Sequence, residues 1–225
     1  MDDIKKECRA FDFDLRAEQS EEHGHYVEGR AIVFGQPYDN GIFTEYIDDG
    51  ALDKTDLKDV RFLVNHDTSM IPLARSRNNN ENSTMQMTVV PGEGMDIRAD
   101  LDTERNATAQ ALYSAADRGD VSGMSFMFTV NEDRWEGLET EHPTRHITSL
   151  GKVFEVSAVT FPAYEQTTFA ARSKEEALES AETTLENAKQ RAVEEKAQAE
   201  AELAEAARRA KIETLKARLQ SIKEG

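Results

Sequence analysis

Cysteine is almost absent from these 225 residues: Cys8 stands alone. A single thiol excludes an internal disulfide and any cysteine-based metal centre, and it fits a reducing compartment. Long apolar runs are missing too. The opening MDDIKKECRAFDFDL lacks the apolar stretch of a signal peptide, and no segment approaches the roughly 18 apolar residues that a bilayer span requires. A cytosolic protein, or one that passes from the cytosol into an assembly, is therefore expected. Positive charge is in deficit, with 27 Lys and Arg against 44 Asp and Glu, for a net charge of -17. Such a balance repels nucleic-acid phosphates and anionic membranes, which argues against both as general partners.

The absences are unevenly spread. Residues 173–225 contain no proline, no aromatic residue and no glycine before the last position. What they do contain is 12 alanines, 12 glutamates and 10 Lys or Arg, mostly strong helix formers. Their net charge is -2, so -15 belongs to residues 1–172. Leu178, Leu185, Ala192 and Ala199 repeat every seven residues, whereas Ile212, Leu215, Leu219 and Ile222 follow a/d spacing in another register. This predicts one long helix whose stripe is too thin to bury much alone. It either pairs with a partner helix or stands in solvent.

Residues 1–172 alternate apolar and polar side chains in FDFDLRA and VEGRAIVFG, the mark of half-buried strands. VRFLVN, MQMTVV, MDIRADLD, SFMFTV and FEVSAVTF continue the pattern, and PGEG is a turn between two of them. DTERNATAQALYSAADRGD predicts a helix capped by Thr103, with Ala107, Ala111 and Ala115 along one side and Gly119 ending it. SRNNNENST, residues 76–84, reads as an exposed loop. Many short strands with few helices predict an α+β domain around an antiparallel sheet or barrel.

Three residues stand out as candidates for chemistry. Ser125 lies in GMSFM, where Met127 replaces the second glycine of a nucleophile elbow and a strand rather than a helix follows, which argues against an α/β hydrolase. In a regular strand Met124, Phe126, Phe128 and Val130 face the core, and Ser125, Met127 and Thr129 share the other face. Ser125 is either a small residue beside a bend at Gly123 or a nucleophile. His66 ends the apolar run Phe62–Val64, where it can act as a general base or simply bond Asn65 or Asp67 in a turn. Glu155 interrupts an apolar stretch that includes Val156, Ala158 and Phe161, and a carboxylate there needs a partner such as a histidine N–H. At a sheet edge it would be merely exposed. His146, and less readily His142, can orient His66 in its place. His23 and His25 of HGH can be combined with His66 and Asp67 as metal ligands, but the spacing is unspecific, and no metal site is assigned.

The order of these segments is more informative than any one of them. EGRAIVFG with EYIDDGAL, then LVNHD and PLARS, then GDVSGMSFMF, then RHITSLGKVFEVSAVTFPAYEQT resembles the prohead maturation proteases of tailed bacteriophages over residues 11–172. PLAR lacks a glycine common after the leucine, and Met127 stands where glycine is usual, yet no reactive group is lost. The resemblance implies an assemblin-like fold, as in herpesvirus proteases: a mostly antiparallel β-barrel with packed helices. It implies Ser125 as nucleophile, His66 as base and Glu155 as third member, with His146 the alternative because herpesvirus relatives use a second histidine. Oxyanion donors are sought at the N–H groups of Gly123 and Met124 or at Arg145. The implied function is a serine endopeptidase needing no cofactor, which cleaves capsid or scaffold protein, and itself, inside the prohead in the host cytoplasm. The implied partners are the major capsid protein and scaffold helices, with a homodimer left open. A non-catalytic assembly scaffold or chaperone of the same fold is the alternative.

Overall fold

The computed structural model describes residues 6–11, 15–160 and 171–223. The chain divides into two compact units, residues 1–175 and 176–225. Alternation becomes eleven strands: β1 (Glu7–Phe11), β2 (Arg16–Ser20), β3 (Gly24–Val33), β4 (Tyr38–Asp39), β5 (Thr44–Ile47), β6 (Asp59–Val64), β7 (Ala74–Arg77), β8 (Met85–Val90), β9 (Gly94–Asp100), β10 (Gly123–Glu136) and β11 (Thr144–Val159). Among the described residues there are two helices besides these strands, α1 (Ala107–Asp117) between β9 and β10 and α2 (Ala171–Lys223) after β11.

The first sheet runs β1-β10-β11-β5-β4, with β6 pairing both β11 and β7; the second runs β2-β3-β9-β8. Most pairings are antiparallel. The exception is the long β11, whose first part pairs parallel with β5 and whose last part pairs parallel with β6. Among the described residues the strands form two open sheets rather than the closed barrel implied by the resemblance. The sheets are joined by a shared core instead of by edge pairing: Val27, Ile32, Met95 and Ile97 of the second sheet lie in one cluster with Phe62, Phe126, Ile147 and Val156 of the first. Within the second sheet β3 and β9 approach closely at one end: Gly94 holds φ +146, and a Cβ there would sit 1.9 Å from the Ile32 carbonyl oxygen.

Local details differ from the sequence reading. FDFDLRA does not form one strand: β1 ends at Phe11 and β2 begins at Arg16. The α1 cap is Asn106, whose side chain accepts from the N–H groups of Thr108 and Ala109. Thr103 instead bonds His25 Nδ1 at 2.6 Å. The buried face of α1 is Ala109, Leu112 and Ala116 rather than the Ala107 side. Gly119 ends the helix at φ +74, as expected, with Asp120 N–H donating to Ala115. In the 76–84 segment Ser76 is buried, and Asn79 ties the loop to both backbone groups of Met87. The segment FPAYEQT lies outside the described residues.

The helix α2 has 53 residues, about 80 Å of rise. Val193, Leu203, Ile212 and Leu215 are exposed along it. Among the described residues no helix is long and apolar enough to cross a membrane.

Candidate active site

Strand β10 is flanked by β1 on one side and β11 on the other, so Ser125 faces Ala10 across one ladder and Ser157 across the other. Met124, Phe126 and Phe128 turn into the core and are fully buried, which sends Ser125 to the opposite face. Directly opposite partners share a face, so Ser157 joins Ser125 there, and Glu155 two residues earlier does as well. Strand β6 lies along the far edge of β11, with Val64 paired to Ala158. That register brings the end of β6 level with the serines.

The chain then reverses sharply. Asn65 and His66 both adopt positive φ, +50 and +57. Two consecutive left-handed residues are uncommon outside glycine, and Asn and His are among the side chains that tolerate them. Asn65 is tied to the end of β11: its N–H donates to Ala158, its Oδ1 accepts from Thr160 N–H, and its Nδ2 donates to Thr160 Oγ1. The turn swings His66 back over the sheet.

There the imidazole meets both candidates. His66 Nε2 lies 2.6 Å from Ser125 Oγ, and His66 Nδ1 lies 2.6 Å from Glu155 Oε1. Ser125 is 1% exposed and Glu155 2%, whereas the His66 side chain is 26% exposed. An ionised carboxylate only accepts, so Nδ1 carries the donated proton and Nε2 of the neutral ring faces the serine as acceptor. The second Glu155 oxygen accepts from Ser157 Oγ at 2.5 Å, and Ser157 Oγ accepts from the His66 backbone N–H at 3.1 Å. Ser125 Oγ has a further acceptor, the Arg9 carbonyl at 2.8 Å.

Other candidates lie elsewhere. His146 bonds Asp48 at 2.8 Å and stacks on Tyr46, so it is Glu155 that occupies the Nδ1 side of His66. His142 bonds Thr44. His23 and His25 sit at the start of β3 in the second sheet, where Asp100 and Thr103 are their neighbours. Asp67 bonds Ser69. Arg145 is not available to an oxyanion: it is 3% exposed and its donors are spent on Glu7, Glu45 and Asp133. Gly123 and Met124 open β10, paired to Val159 and Ala158; Met124 is also paired to Phe11, which commits its backbone to the sheet on both edges.

Arg145 belongs to a buried ionic cluster that also fixes β1. Arg9 reaches both oxygens of Glu45, at 2.5 and 2.8 Å, and Glu7 at 2.6 Å. Burial opposes ionisation of Glu7, but the Arg9 and Arg145 guanidiniums outweigh it and hold its carboxyl down at about 2. Burial likewise opposes the charge on Arg9, yet Glu45 and Glu7 raise its pKa. On the other face of β1 the Cys8 thiol, although the residue is exposed on this edge strand, is pushed up to about 11 by partial desolvation and by the nearby Glu155 carboxylate. Cys8 therefore stays protonated at neutral pH and does not compete with Ser125 as a nucleophile.

Sequence reasoning missed Ser157, Asn65 and Arg9. A signal existed for each: Ser157 is two residues from Glu155 and so shares its face, Asn65 precedes the turn histidine, and Arg9 is a charge between strand-forming residues.

A family model described as caudovirus prohead serine protease matches residues 11–182. No curated protein and no solved structure matches the chain.

Proposed function

Because the chain belongs to the caudovirus prohead serine protease family, we propose that Ser125, His66 and Glu155 form its catalytic apparatus. The substrate is capsid or scaffold protein, cleaved inside the prohead during head maturation. One observation carries the assignment of residues: a single imidazole touches a buried serine hydroxyl with one nitrogen and a buried carboxylate with the other, each at 2.6 Å.

The chemistry follows from the proton inventory. Glu155 accepts Nδ1–H and leaves Nε2 basic. Nε2 takes the hydroxyl proton as Ser125 Oγ attacks the peptide carbonyl carbon. The buried carboxylate stabilises the imidazolium that results. That proton passes to the leaving amine, the C–N bond breaks, and an acyl-serine ester remains. Water, deprotonated by His66, releases the ester and restores the hydroxyl.

The part of α2 exposed over residues 189–216 serves recruitment in this reading. Its charged surface and thin apolar stripe suit co-assembly with scaffold helices. A chain lacking residues 173–225 should cleave peptides normally and enter proheads poorly.

Mass spectrometry of the full chain, alone and with its cognate capsid protein, tests the catalytic assignment. Cleavage products from the parent that vanish in both Ser125→Ala and His66→Ala support it. Intact masses throughout would reject it in favour of a non-catalytic scaffold.

A further inference from the structure

We infer that Ser157 is a positioning residue for the proposed reaction, acting on His66 and Glu155 together. It is completely buried and lies opposite Ser125 across the β10–β11 ladder and opposite Leu63 in β6. Its hydroxyl has one proton to give. Glu155 Oε2, at 2.5 Å, can only accept, so that proton goes to the carboxylate. Ser157 Oγ in turn accepts the His66 backbone N–H at 3.1 Å.

The bonds close on themselves. From the His66 backbone the path runs to Ser157, then to Glu155 Oε2, and from Glu155 Oε1 back to the His66 ring at Nδ1. One side of this ring of contacts holds the peptide of a residue at φ +57, a left-handed conformation that is strained for any side chain beyond glycine. The other side pins the free carboxylate oxygen, so the carboxylate cannot rotate away from Nδ1. Losing Ser157 Oγ would release both at once. It would also leave a buried N–H without its acceptor and a carboxylate oxygen without its donor.

The inference rests on the reading of Ser125 as nucleophile, and the experiment separates the two. Full-length parent, Ser157→Ala and Ser157→Thr chains are reacted with a β-lactone probe, whose ring C–O bond breaks as Ser125 Oγ forms the acyl ester. The saturating rate of Ser125 acylation is resolved from the half-saturation concentration. Alanine is expected to lower the saturating rate roughly 10- to 100-fold with unchanged half-saturation, and threonine, which keeps the hydroxyl, to retain most of it. Ser157→Cys, which fills the space with a poor donor, replaces alanine if that variant does not fold. The low-field Nδ1–H proton resonance of His66 should move in the alanine or cysteine variant and stay in the threonine one. A variant lacking the hydroxyl that acylates within about twofold of the parent, an unmoved resonance, or equal losses in alanine and threonine overturns the role of Ser157 while the protease reading stands. No probe adduct on Ser125 in the parent chain overturns both.

Discussion

The Ser125 hydroxyl lies 2.8 Å from the backbone carbonyl of Arg9, whose guanidinium is clasped by Glu45 and Glu7. The edge strand β1 thus touches the candidate nucleophile through its backbone and is anchored through its side chains. One hydroxyl proton has two acceptors, the Arg9 carbonyl and His66 Nε2. With His66 neutral the second is the productive one. With the ring protonated on both nitrogens, Nε2 donates to Oγ and the hydroxyl turns to Arg9.

Arg9→Lys should therefore damage more than its conserved charge suggests. Lysine offers a point charge where two arginine nitrogens reach two oxygens of one carboxylate. Loss of that geometry in a buried pair is expected to cost about 3 kcal/mol in urea unfolding. Acylation of Ser125 by a β-lactone should slow as β1 loosens. An unchanged unfolding midpoint would show that the cluster does not anchor β1.

Glu7 makes stability depend on acid. Its carboxyl falls from 4.5 to about 2 on folding. A depressed carboxyl contributes stability that is complete above its unfolded value and is lost as pH falls through the folded one. Glu7 should thus contribute about 3 kcal/mol at neutral pH, declining between pH 4.5 and about 2. Glu7→Gln should be less stable than the parent at pH 7, and the gap should narrow towards pH 2, as measured by denaturant unfolding across that range. A gap of constant size would assign the loss to packing rather than charge.

Asn65 is exposed, and a view based on contacts alone would assign it little weight. Its backbone says otherwise, because φ +50 excludes β-branched side chains at low cost. Asn65→Val is expected to lose about 1–3 kcal/mol and to displace His66, lowering the acylation rate. Asn65→Gly keeps the conformation and gives up only the bonds to Thr160, so its losses should be smaller on both measures. The reverse ranking would mean that the side-chain bonds, not the turn, position His66.

The strands were legible because each buries one face, so alternation survives in VRFLVN, MQMTVV and SFMFTV. The break between β1 and β2 was not, since FDFDLRA alternates straight through it. Sheet closure was also unreadable: whether β11 takes β5 and β6 along one edge is decided by core volume, which no local pattern records. At the site, Ser125, His66 and Glu155 were legible as a set from motif order. Ser157 stood inside the same EVS motif and on the Glu155 face, but its use was unreadable because it depends on a register between three strands. Arg145 looked like a free cation only because its acidic partners Glu7 and Glu45 are far away in sequence and Asp133 lies on the neighbouring strand.

Two side chains could have supported His66, and the structure distinguishes them by what each touches. Glu155 is buried with one oxygen on Nδ1 and the other on Ser157. His146 is spent on Asp48 and stacked on Tyr46. Glutamine at 155 keeps the size but puts an amide N–H₂ where one of two accepted protons must be. It either repels Ser157 Oγ–H or presents a donor to Nδ1, which turns the ring to the wrong tautomer for accepting from Ser125. The expected loss in the saturating acylation rate for Glu155→Gln is roughly 10²- to 10⁴-fold. His146→Ala removes a stacked, surface-linked ring and should acylate within about twofold of the parent. Comparable losses in the two variants would mean that His66 is oriented by a different arrangement during reaction, with His146 brought to Nδ1 and Glu155 displaced from it.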